Sequence, residues 1–290
     1  MPLYVTEREV DELLSPAAAR AAVEGSLARI ARGAVDNPAR VRTELPGGVF
    51  AVMPCVDREL GYAGLKTYAW LPGGTPFLVV LFSIERAELE AVVEADLLGQ
   101  RRTAAASAIA AQRLARRDAR TLGVFGCGRQ AASHVVALRE ALASLERVLV
   151  HCRNAERLAA FCAVHGCEPA EPADVGGCDV VVTATTATEP VLHGAWLRPG
   201  ATVLAIGAND LGARELDDDV LARAALVCTD SIEQARQEAG DLAAVTELHE
   251  LHDVHARSES DAIVVFKSNG LAAWDLAAAA AVVTARRARP

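Results

Sequence analysis

The stretch TLGVFGCGRQ, residues 121–130, joins an apolar run to two glycines that stand one residue apart. The run predicts a buried strand, and the residues after Gly128 follow helical spacing. Two interpretations of the glycines are open. One is a tight turn, and the other is a loop that a phosphate approaches more closely than a β-carbon allows.

The sequence around the two glycines favours the phosphate interpretation. They follow a predicted strand, open a helix and begin a β–α–β unit of about 30 residues. Ala131 takes the place of the third glycine in G-x-G-x-x-G, and it is small enough to let the helix lie close to the sheet. The first N–H groups of such a helix suit a pyrophosphate. The predicted cofactor-binding residues of this loop are Gly126, Cys127, Gly128, Arg129 and Gln130.

The end of the second predicted strand, RVLVHCRN at residues 147–154, indicates which dinucleotide is preferred. An NAD site usually has an acid here that binds the ribose 2′-hydroxyl, but no acid occurs before Glu156. Arg153 offers two donors that suit a 2′-phosphate. We therefore predict NADP(H) in preference to NAD(H), with Arg153 and Asn154 on the adenosine side. The alternative is that Arg153 is an ordinary exposed arginine.

Composition limits the function classes. The 290 residues are 52% hydrophobic and 23% charged, with a net charge of −9 and no dense basic run, so we expect no nucleic-acid partner. The chain has no apolar run of about 18 residues and no basic, apolar leader, so we expect a cytoplasmic protein without a membrane span. Its seven cysteines are odd in number and lack a CxxC pair, which predicts free thiols and no metal site.

The order of the predicted elements indicates two domains. Two helices over 6–33, an antiparallel meander over 39–83 and a helix over 86–118 predict an α+β substrate and dimerisation domain at 1–118. From residue 121, near-continuous apolar strands alternate with helices, which predicts an α/β Rossmann domain at 119–270 with a covered parallel sheet. A last helix at 271–290 follows the final strand, and we expect it to return to the first domain.

Six ordered segments resemble the ornithine cyclodeaminase/μ-crystallin family, from about residue 35 to the end. They are GYAGLKTY, RRTAAASAIAAQRLA, GVFGCGRQAASH, VVVTATTATEPVL, IGANDLGARELD and VVFKSNGLAAWDLAAA. The resemblance implies a homodimer in which a split N-terminal domain and a Rossmann domain bind NAD(P)(H). It also implies a small α-amino, α-imino or α-keto acid as substrate.

The resemblance implies roles for three cationic residues of the first domain. Arg40 in NPARV and Arg102 match arginines that bind the substrate carboxylate, with Arg42 and Arg101 as nearby rivals. Lys66 in GLKTY matches the catalytic lysine. Independently of the resemblance, a lysine on a half-buried strand is unusual, and burial lowers its pKa, which suits it to proton transfer.

The resemblance also implies a nicotinamide side and a phosphate contact. The implied residues are Thr183, Ala184 and Thr185 after one strand, Ser268, Asn269 and Gly270 after another, and Thr103 toward a cofactor phosphate. Ligands of such sheets bind at the carboxyl ends of the strands, where two of these groups stand.

Two departures from ornithine cyclodeaminase bear on the reaction. Ala51 stands where that enzyme has a glutamate, and Asn209 stands where it has an aspartate, with Asp210 one residue later. An ornithine ammonium would be buried without its partners, which is costly. The sequence therefore predicts reduction of an α-imino acid or reductive amination of an α-keto acid, with Lys66, Arg40, Arg102 and Asn209 or Asp210 at the reaction. The alternatives are a cyclodeaminase that uses Asp210 and a non-catalytic NADPH-binding protein of crystallin type.

Overall fold

A computed structural model describes residues 1–289 of the chain. The strands are β1 Leu3–Val5, β2 Val35–Asp36, β3 Val41–Leu45, β4 Gly48–Asp57, β5 Tyr62–Trp70, β6 Phe77–Ser83, β7 Glu88–Glu94, β8 Thr121–Phe125, β9 Arg147–His151, β10 Glu168–Pro169, β11 Val180–Thr183, β12 Thr202–Ala205, β13 Ala224–Thr229, β14 His249–Glu250 and β15 Ile263–Lys267. The helices are α1 Glu7–Leu13, α2 Pro16–Ala31, α3 Asp96–Leu114, α4 Arg129–Ala141, α5 Ala155–His165, α6 Pro172–Gly176, α7 Asp218–Arg223, α8 Ile232–Glu238 and α9 Ala272–Arg287.

The chain forms two compact units. The first contains residues 1–106 and 270–289, and the second contains residues 107–269. The division falls within α3, and α9 belongs to the first unit. The functional domain boundaries drawn from the sequence at 118 and 270 stay a prediction.

The first unit is built on a sheet in which β7, β6, β5 and β4 are neighbours and β3 pairs with β4. The strands from β3 to β7 pair antiparallel, as the predicted meander requires, and β1 joins β7 in parallel. Helix α9 packs on β4, β5, β6 and α2. Its many alanines are buried and let the helix lie close to the sheet. The Ser15 cap and Pro16 start of α2 are confirmed.

One segment of the first unit differs from its prediction. Residues 86–118 were expected to be helical throughout, but β7 occupies Glu88–Glu94 and α3 begins only at Asp96. Alanine and glutamate favour a helix, whereas the pairing of β7 with both β6 and β1 stabilises a strand. Val92 and Val93 suit that pleated environment. Tertiary pairing has overridden local propensity here.

The second unit is an α/β layer with the sheet order β10-β9-β8-β11-β12-β15-β13-β14, and its strand pairs are parallel. The strands and helices expected to alternate from residue 121 are present, and the predicted fold class is confirmed. Chain order reverses between β8 and β11, which makes their carboxyl ends the switch point where ligands of such sheets bind. Across residues 1–289, helix length and hydropathy give no segment able to span a bilayer.

Candidate active site

The two glycines of the opening motif are required for different reasons. Gly126 has φ +113°, and an added β-carbon would lie 2.5 Å from the carbonyl oxygen of Ala184. This glycine is therefore fixed by its backbone conformation and by the approach of the neighbouring strand. Gly128 has φ −100° and is the N-cap of α4, without a side-chain hydrogen bond. An added β-carbon there would meet no protein atom within 4 Å.

The open space at Gly128 fits a ligand that approaches the start of α4. The fold itself does not demand glycine at this position, because its φ is one that any residue adopts. Arg129 and Gln130 open the helix, and the buried Oε1 of Gln130 has no hydrogen-bond partner among the described residues. A pyrophosphate over the helix N-terminus accounts for the glycine, so the loop fits the predicted dinucleotide.

The end of β9 offers an exposed cation, Arg153, on the predicted adenosine side of this loop. Arg153 is exposed, as a residue that meets a 2′-phosphate would be before the cofactor binds. The side chain of Asn154 accepts a hydrogen bond from the Arg157 N–H at 2.9 Å and caps α5. The structure therefore gives Asn154 a helix-capping role, and Arg153 is the stronger candidate for contact with a nucleotide.

The cysteines of this loop correct the prediction that all seven are free thiols. Cys127 and Cys152 form a disulfide with their Cα atoms 5.9 Å apart. Phe125 of β8 is paired with His151 of β9, so the residues that follow them meet at the same edge of the sheet. The five other cysteines, all within residues 1–289, are free thiols. Cys127 and Cys152 come together because β8 and β9 pair in parallel, and rules based on the spacing of cysteines along the sequence do not detect such pairing.

A buried glutamate that the sequence interpretation overlooked organises the ends of β11 and β12. The carboxylate of Glu215 accepts hydrogen bonds from the side chains of Thr183 and Thr185 at 2.9 and 2.7 Å. It also accepts from the N–H groups of Thr185, Gly207 and Ala208 at 2.7, 2.6 and 3.2 Å. Of the predicted nicotinamide-side residues, Thr183 and Thr185 are therefore held by one carboxylate, and the Ala184 N–H between them donates to the Phe125 carbonyl at 2.9 Å. Its only sequence signal is the RELD end of the quoted IGANDLGARELD segment.

We expect Glu215→Gln to lower the free energy of unfolding by about 1–3 kcal/mol, because the amide nitrogen turns a donor toward buried donors and leaves some of them unpaired. Urea unfolding followed by circular dichroism measures the change. Glu189→Gln is the matched control, because Glu189 is exposed on the loop after β11. Equal midpoints for the two variants would contradict the organising role of Glu215.

The remaining predicted residues of the second unit lie at two loops. Asn209 and Asp210 are exposed after β12, and the Asp210 carboxylate accepts the Gly212 N–H at 2.8 Å. Ser268 and Asn269 are buried after β15, and Asp230 accepts both the Ser268 hydroxyl at 2.9 Å and the Asn269 N–H at 2.8 Å. Among residues 1–289, no group of three or more His, Cys, Asp or Glu side chains could hold a metal ion.

The first unit contains a buried cluster of two cations and one anion. Lys66 of β5 and Arg102 of α3 both contact the Oδ1 atom of Asp275 on α9, with Nζ at 3.2 Å and Nε at 2.8 Å. Asp275 is fully buried, and Lys66 and Arg102 are 5% and 6% exposed. Two residues predicted from the sequence are thus brought together by a third that was not. The cluster carries an excess positive charge, which suits a carboxylate ligand.

Burial lowers the pKa of Lys66 to about 8, and the neighbouring charges modify this effect. Asp275 raises the pKa through its negative charge and its hydrogen bond, whereas the positive charges of Arg102 and Arg40 lower it. Lys66 is consequently close to its titration point near neutral pH. A lysine with such a pKa can hold a proton and also release it during a reaction.

The structure distinguishes the predicted arginines from their rivals. Arg40 is 9% exposed and donates from Nη1 to the Tyr68 hydroxyl at 3.1 Å, whereas Arg42 is exposed. Tyr68 and Lys66 lie two residues apart on β5 and so share one face of the sheet. Arg101 donates to backbone carbonyls at the end of α1, including that of Leu14 at 2.7 Å, and serves the helix end. Arg40 and Arg102 are therefore the cations near Lys66.

Two glycines make room for the cluster. A β-carbon on Gly99 would lie 3.1 Å from Lys66 Nζ, and one on Gly270 would lie 2.5 Å from Arg102 Nη1. Gly270, predicted to bind the cofactor, has φ +80° and lies against the Arg102 guanidinium. The hydroxyl of Thr103, predicted to contact a cofactor phosphate, donates to the Gly99 carbonyl at 2.7 Å. Both residues thus have contacts inside the first unit.

Two buried atoms of the cluster have open hydrogen-bonding capacity. Arg102 Nη1, a donor, and Asp275 Oδ2, an acceptor, have no hydrogen-bond partner within the described part of the chain. Buried polar atoms are rarely left in this state unless a ligand or water completes them. An α-imino or α-amino acid offers a carboxylate for the donor and an N–H for the acceptor.

Known proteins similar to this chain identify its family. The model of the ornithine cyclodeaminase/mu-crystallin family matches residues 2–288. Alanine dehydrogenase of Archaeoglobus fulgidus is 33% identical over 306 residues, which cover 97% of this chain and 94% of that protein. The ketimine reductase mu-crystallin of Mus musculus is 33% identical over 303 residues, which cover 96% of this chain and 95% of that protein. The resemblance inferred from the six segments is confirmed.

Solved structures show the same fold over nearly the whole chain. A probable ornithine cyclodeaminase from Bordetella pertussis has a TM-score of 0.94 at 34% identity and covers 100% of this chain and 98% of its own. An archaeal alanine dehydrogenase dimer with bound NAD has a TM-score of 0.92 at 30% identity, and the match covers 99% of this chain and 97% of that one. The pyrroline-2-carboxylate reductase of Thermococcus litoralis, in complex with NADH and L-proline, has a TM-score of 0.92 at 25% identity. That match covers 98% of this chain and 97% of the other.

Proposed function

The chain belongs to the ornithine cyclodeaminase/mu-crystallin family, and we propose from this that it is an NAD(P)H-dependent oxidoreductase that reduces a small α-imino acid or reductively aminates an α-keto acid. The relatives compared above include an alanine dehydrogenase, a ketimine reductase and a pyrroline-2-carboxylate reductase. Each of these names describes chemistry at a carbon–nitrogen bond, and the alanine and pyrroline-2-carboxylate of two of them carry a carboxylate next to that bond. The product is then an L-amino acid.

The observation that carries the proposal is the Lys66–Asp275–Arg102 cluster. Its open donor at Arg102 Nη1 and open acceptor at Asp275 Oδ2 complement the carboxylate and the N–H of an α-imino acid. Arg40 adds a second buried guanidinium on the same sheet face as Lys66. A ligand with one carboxylate would offset the excess positive charge of the group.

The proposed reaction divides the work between cofactor and protein. A bound NAD(P)H supplies the hydride that reduces the carbon–nitrogen double bond. Arg102 and Arg40 bind the substrate carboxylate and fix the position of the reacting carbon. Lys66, with its lowered pKa, holds a proton for the substrate nitrogen, and Asp275 orients the lysine. Asn209 or Asp210 is proposed as a further polar contact of the substrate.

The cyclodeaminase alternative lacks a carboxylate beside the Lys66–Asp275–Arg102 cluster. Ala51 is fully buried and stands opposite Tyr68 in the β4–β5 pairing, so its side chain lies on the same face as the Lys66 cluster. The second ammonium of ornithine would need a carboxylate here, and alanine provides none. Asp210 is exposed and already accepts a backbone hydrogen bond, so an imino acid without a second amine is the preferred substrate.

We propose NADP(H) as the preferred cofactor because Arg153 is exposed at the end of β9 and no acid stands beside it. The compared structures name NAD and NADH, which keeps NAD(H) as the second candidate.

We expect Arg153→Ala to raise the Kd for NADPH about 10–100-fold, because the variant loses a charge-assisted contact with the 2′-phosphate. The Kd for NADH should stay unchanged, because NADH has no 2′-phosphate. Fluorescence titration of both nucleotides measures this. Arg157→Ala, which removes an exposed arginine of α5, is the control, and parallel losses for both nucleotides in Arg153→Ala would favour NAD(H).

We also propose a homodimer in the cytoplasm. The compared archaeal alanine dehydrogenase is a dimer, and its likeness to this chain extends over 99% of the residues. Sedimentation of the purified protein gives the oligomeric state directly, and a monomer at micromolar concentration would overturn the homodimer.

The test of the function is nucleotide oxidation read by absorbance. The panel contains pyrroline-2-carboxylate, piperideine-2-carboxylate and pyruvate with ammonium, each with NADPH and with NADH. A separate arm measures proline and ammonia from ornithine with NAD. We expect turnover with at least one imino or keto acid and none with ornithine.

Three other outcomes would each change the assignment. Proline formed from ornithine, and lost in Asp210→Ala, would overturn the reductase in favour of a cyclodeaminase. Nucleotide binding without turnover on any substrate would overturn catalysis in favour of a binding protein. No nucleotide binding at all would overturn the dinucleotide site itself.

A further inference from the structure

Cys127 and Cys152 lie in two neighbouring loops of the proposed dinucleotide site. They follow the neighbouring strands β8 and β9, and the Gly126 N–H donates to the His151 carbonyl at 2.9 Å, which holds the two strand ends together. Their Cα separation of 5.9 Å lies within the range of protein disulfides. The structure shows the oxidised form of the pair.

The disulfide spans two parts of the proposed ligand site. The pyrophosphate part is formed by Gly128 and the start of α4, and the adenosine-ribose part by the residues after β9. Cys127 lies between the glycines of the loop and Cys152 is the first residue after β9, so the disulfide ties the loop to a neighbouring strand end. A nucleotide that bridges the two parts therefore competes with the cross-link for space and for loop conformation.

Burial raises the pKa values of the five other cysteines. Burial raises the pKa of Cys55 and Cys228 to about 12 and that of Cys178 to about 11. Cys162 and Cys167 also have pKa values raised by burial. The thiolate is the species that attacks a disulfide, so these five react slowly at neutral pH. Cys127 and Cys152 are only partly buried, and they lie next to each other.

We propose that Cys127 and Cys152 form a thiol–disulfide exchange site that takes a low-molecular-weight disulfide as its oxidant, and that its oxidised form binds NAD(P)H more weakly. This inference rests on the proposed dinucleotide site. One cysteine thiolate attacks the small disulfide, forms a mixed disulfide and releases one small thiol. The second cysteine thiolate attacks the protein sulfur of that mixed disulfide and releases the second thiol. The protein loses two electrons and two protons, and the oxidant gains both.

The coupling works in both directions. If oxidation weakens nucleotide binding by a given factor, bound nucleotide must disfavour oxidation by the same factor. A saturating nucleotide therefore shifts the equilibrium toward the reduced thiols by that factor, and loss of the nucleotide reverses the shift. The readout does not depend on catalysis.

The experiment equilibrates the full chain with glutathione disulfide or with dithiothreitol and measures the Kd for NADPH by fluorescence. We expect the oxidised protein to bind at least about tenfold more weakly and dithiothreitol to restore the affinity. Cys152→Ser should stop at the mixed disulfide on Cys127 in glutathione disulfide, because no second thiolate resolves it, and in dithiothreitol it should bind NADPH as the reduced chain does. Cys167→Ser, which removes a partly buried thiol outside the loop, should behave like the unmodified chain. Peptide mapping after alkylation should find the 127–152 bond, and NADPH should slow its formation.

Two results would overturn the exchange site. One is a peptide map of the unmodified chain without the 127–152 bond after equilibration with excess glutathione disulfide. The other is an equal Kd for both forms with the bond present. Failure of the reduced chain to bind either nucleotide is a different result, because it overturns the dinucleotide site itself. The peptide map of the unmodified chain needs no variant to fold.

Discussion

Lys66→Met is expected to lower kcat for the imino-acid substrate by about 10²–10⁴-fold, the usual contribution of a positioned proton donor. Methionine fills a similar volume but holds no proton. Arg102, whose Nε lies 2.8 Å from Asp275 Oδ1 in the original chain, is retained, so we expect the buried carboxylate to keep one cation. Because the predicted nucleotide-binding loop belongs to the second unit, the Kd for the nucleotide should change less than about twofold. Steady-state kinetics and nucleotide titration together measure the effect.

Thr67→Val is the matched control for Lys66. Thr67 is the next residue of β5, its side chain points to the other face, and its hydroxyl donates to the Ala51 carbonyl at 2.9 Å. We expect this variant to keep its kcat. A Lys66→Met variant that keeps more than about a tenth of the original kcat would exclude proton transfer by Lys66, given the usual size of that contribution.

Local patterns predicted most of the fold because the strands of the second unit are short apolar runs between helices. The exception is β7, where glutamates and alanine suggested a helix and partners distant in sequence imposed a strand. Strand pairing is a tertiary effect that one window of sequence does not contain. The same limit applies to the Cys127–Cys152 bond, which depends on two strands lying side by side.

The candidate site was predictable where a residue stood out against its surroundings. The sequence has only two lysines, Lys66 and Lys267, and both are buried. Such a position is unusual for a lysine unless a partner is present. The partner acids gave no comparable signal, because Asp275 and Glu215 occur among alanine-rich or charged segments. Their importance comes from contacts with residues 209 and 32 positions away, to Lys66 and Thr183.

Asp275→Asn is expected to lower the free energy of unfolding by about 3–5 kcal/mol, because Lys66 and Arg102 lose the buried carboxylate that they share. The amide has nearly the same volume, so the loss reports charge and not a cavity. Urea unfolding measures it. Asp118→Asn is the control, because Asp118 pairs with Arg116 at the surface and such pairs contribute at most about 1 kcal/mol. A change as small as that of the control would show that Asp275 does not stabilise Lys66 and Arg102 as their shared counter-ion.

The same variant should also move the pH dependence of the reaction. Burial lowers the pKa of Lys66 to about 8, and Asp275 opposes this effect, so removal of the carboxylate lowers that pKa further. Lys66 is protonated below its pKa. The rate of a reaction that needs the protonated lysine therefore falls as pH rises through about 8 in the original chain, and it falls at a lower pH in Asp275→Asn. Profiles of kcat/KM against pH measure the displacement. If the alkaline limbs of the two profiles coincide, Asp275 does not influence the proton donor of the reaction.

The double variant Lys66→Met with Asp275→Asn separates stability from catalysis. Removing the lysine takes away one of the two cations that Asp275→Asn leaves unpaired, so the double variant should be more stable than Asp275→Asn alone. Its kcat should stay as low as that of Lys66→Met, because the proton donor is absent in both. Recovery of stability without recovery of rate is the result that assigns proton transfer to Lys66 and its positioning to Asp275. Additive losses of stability would instead show that the two side chains do not act as a pair.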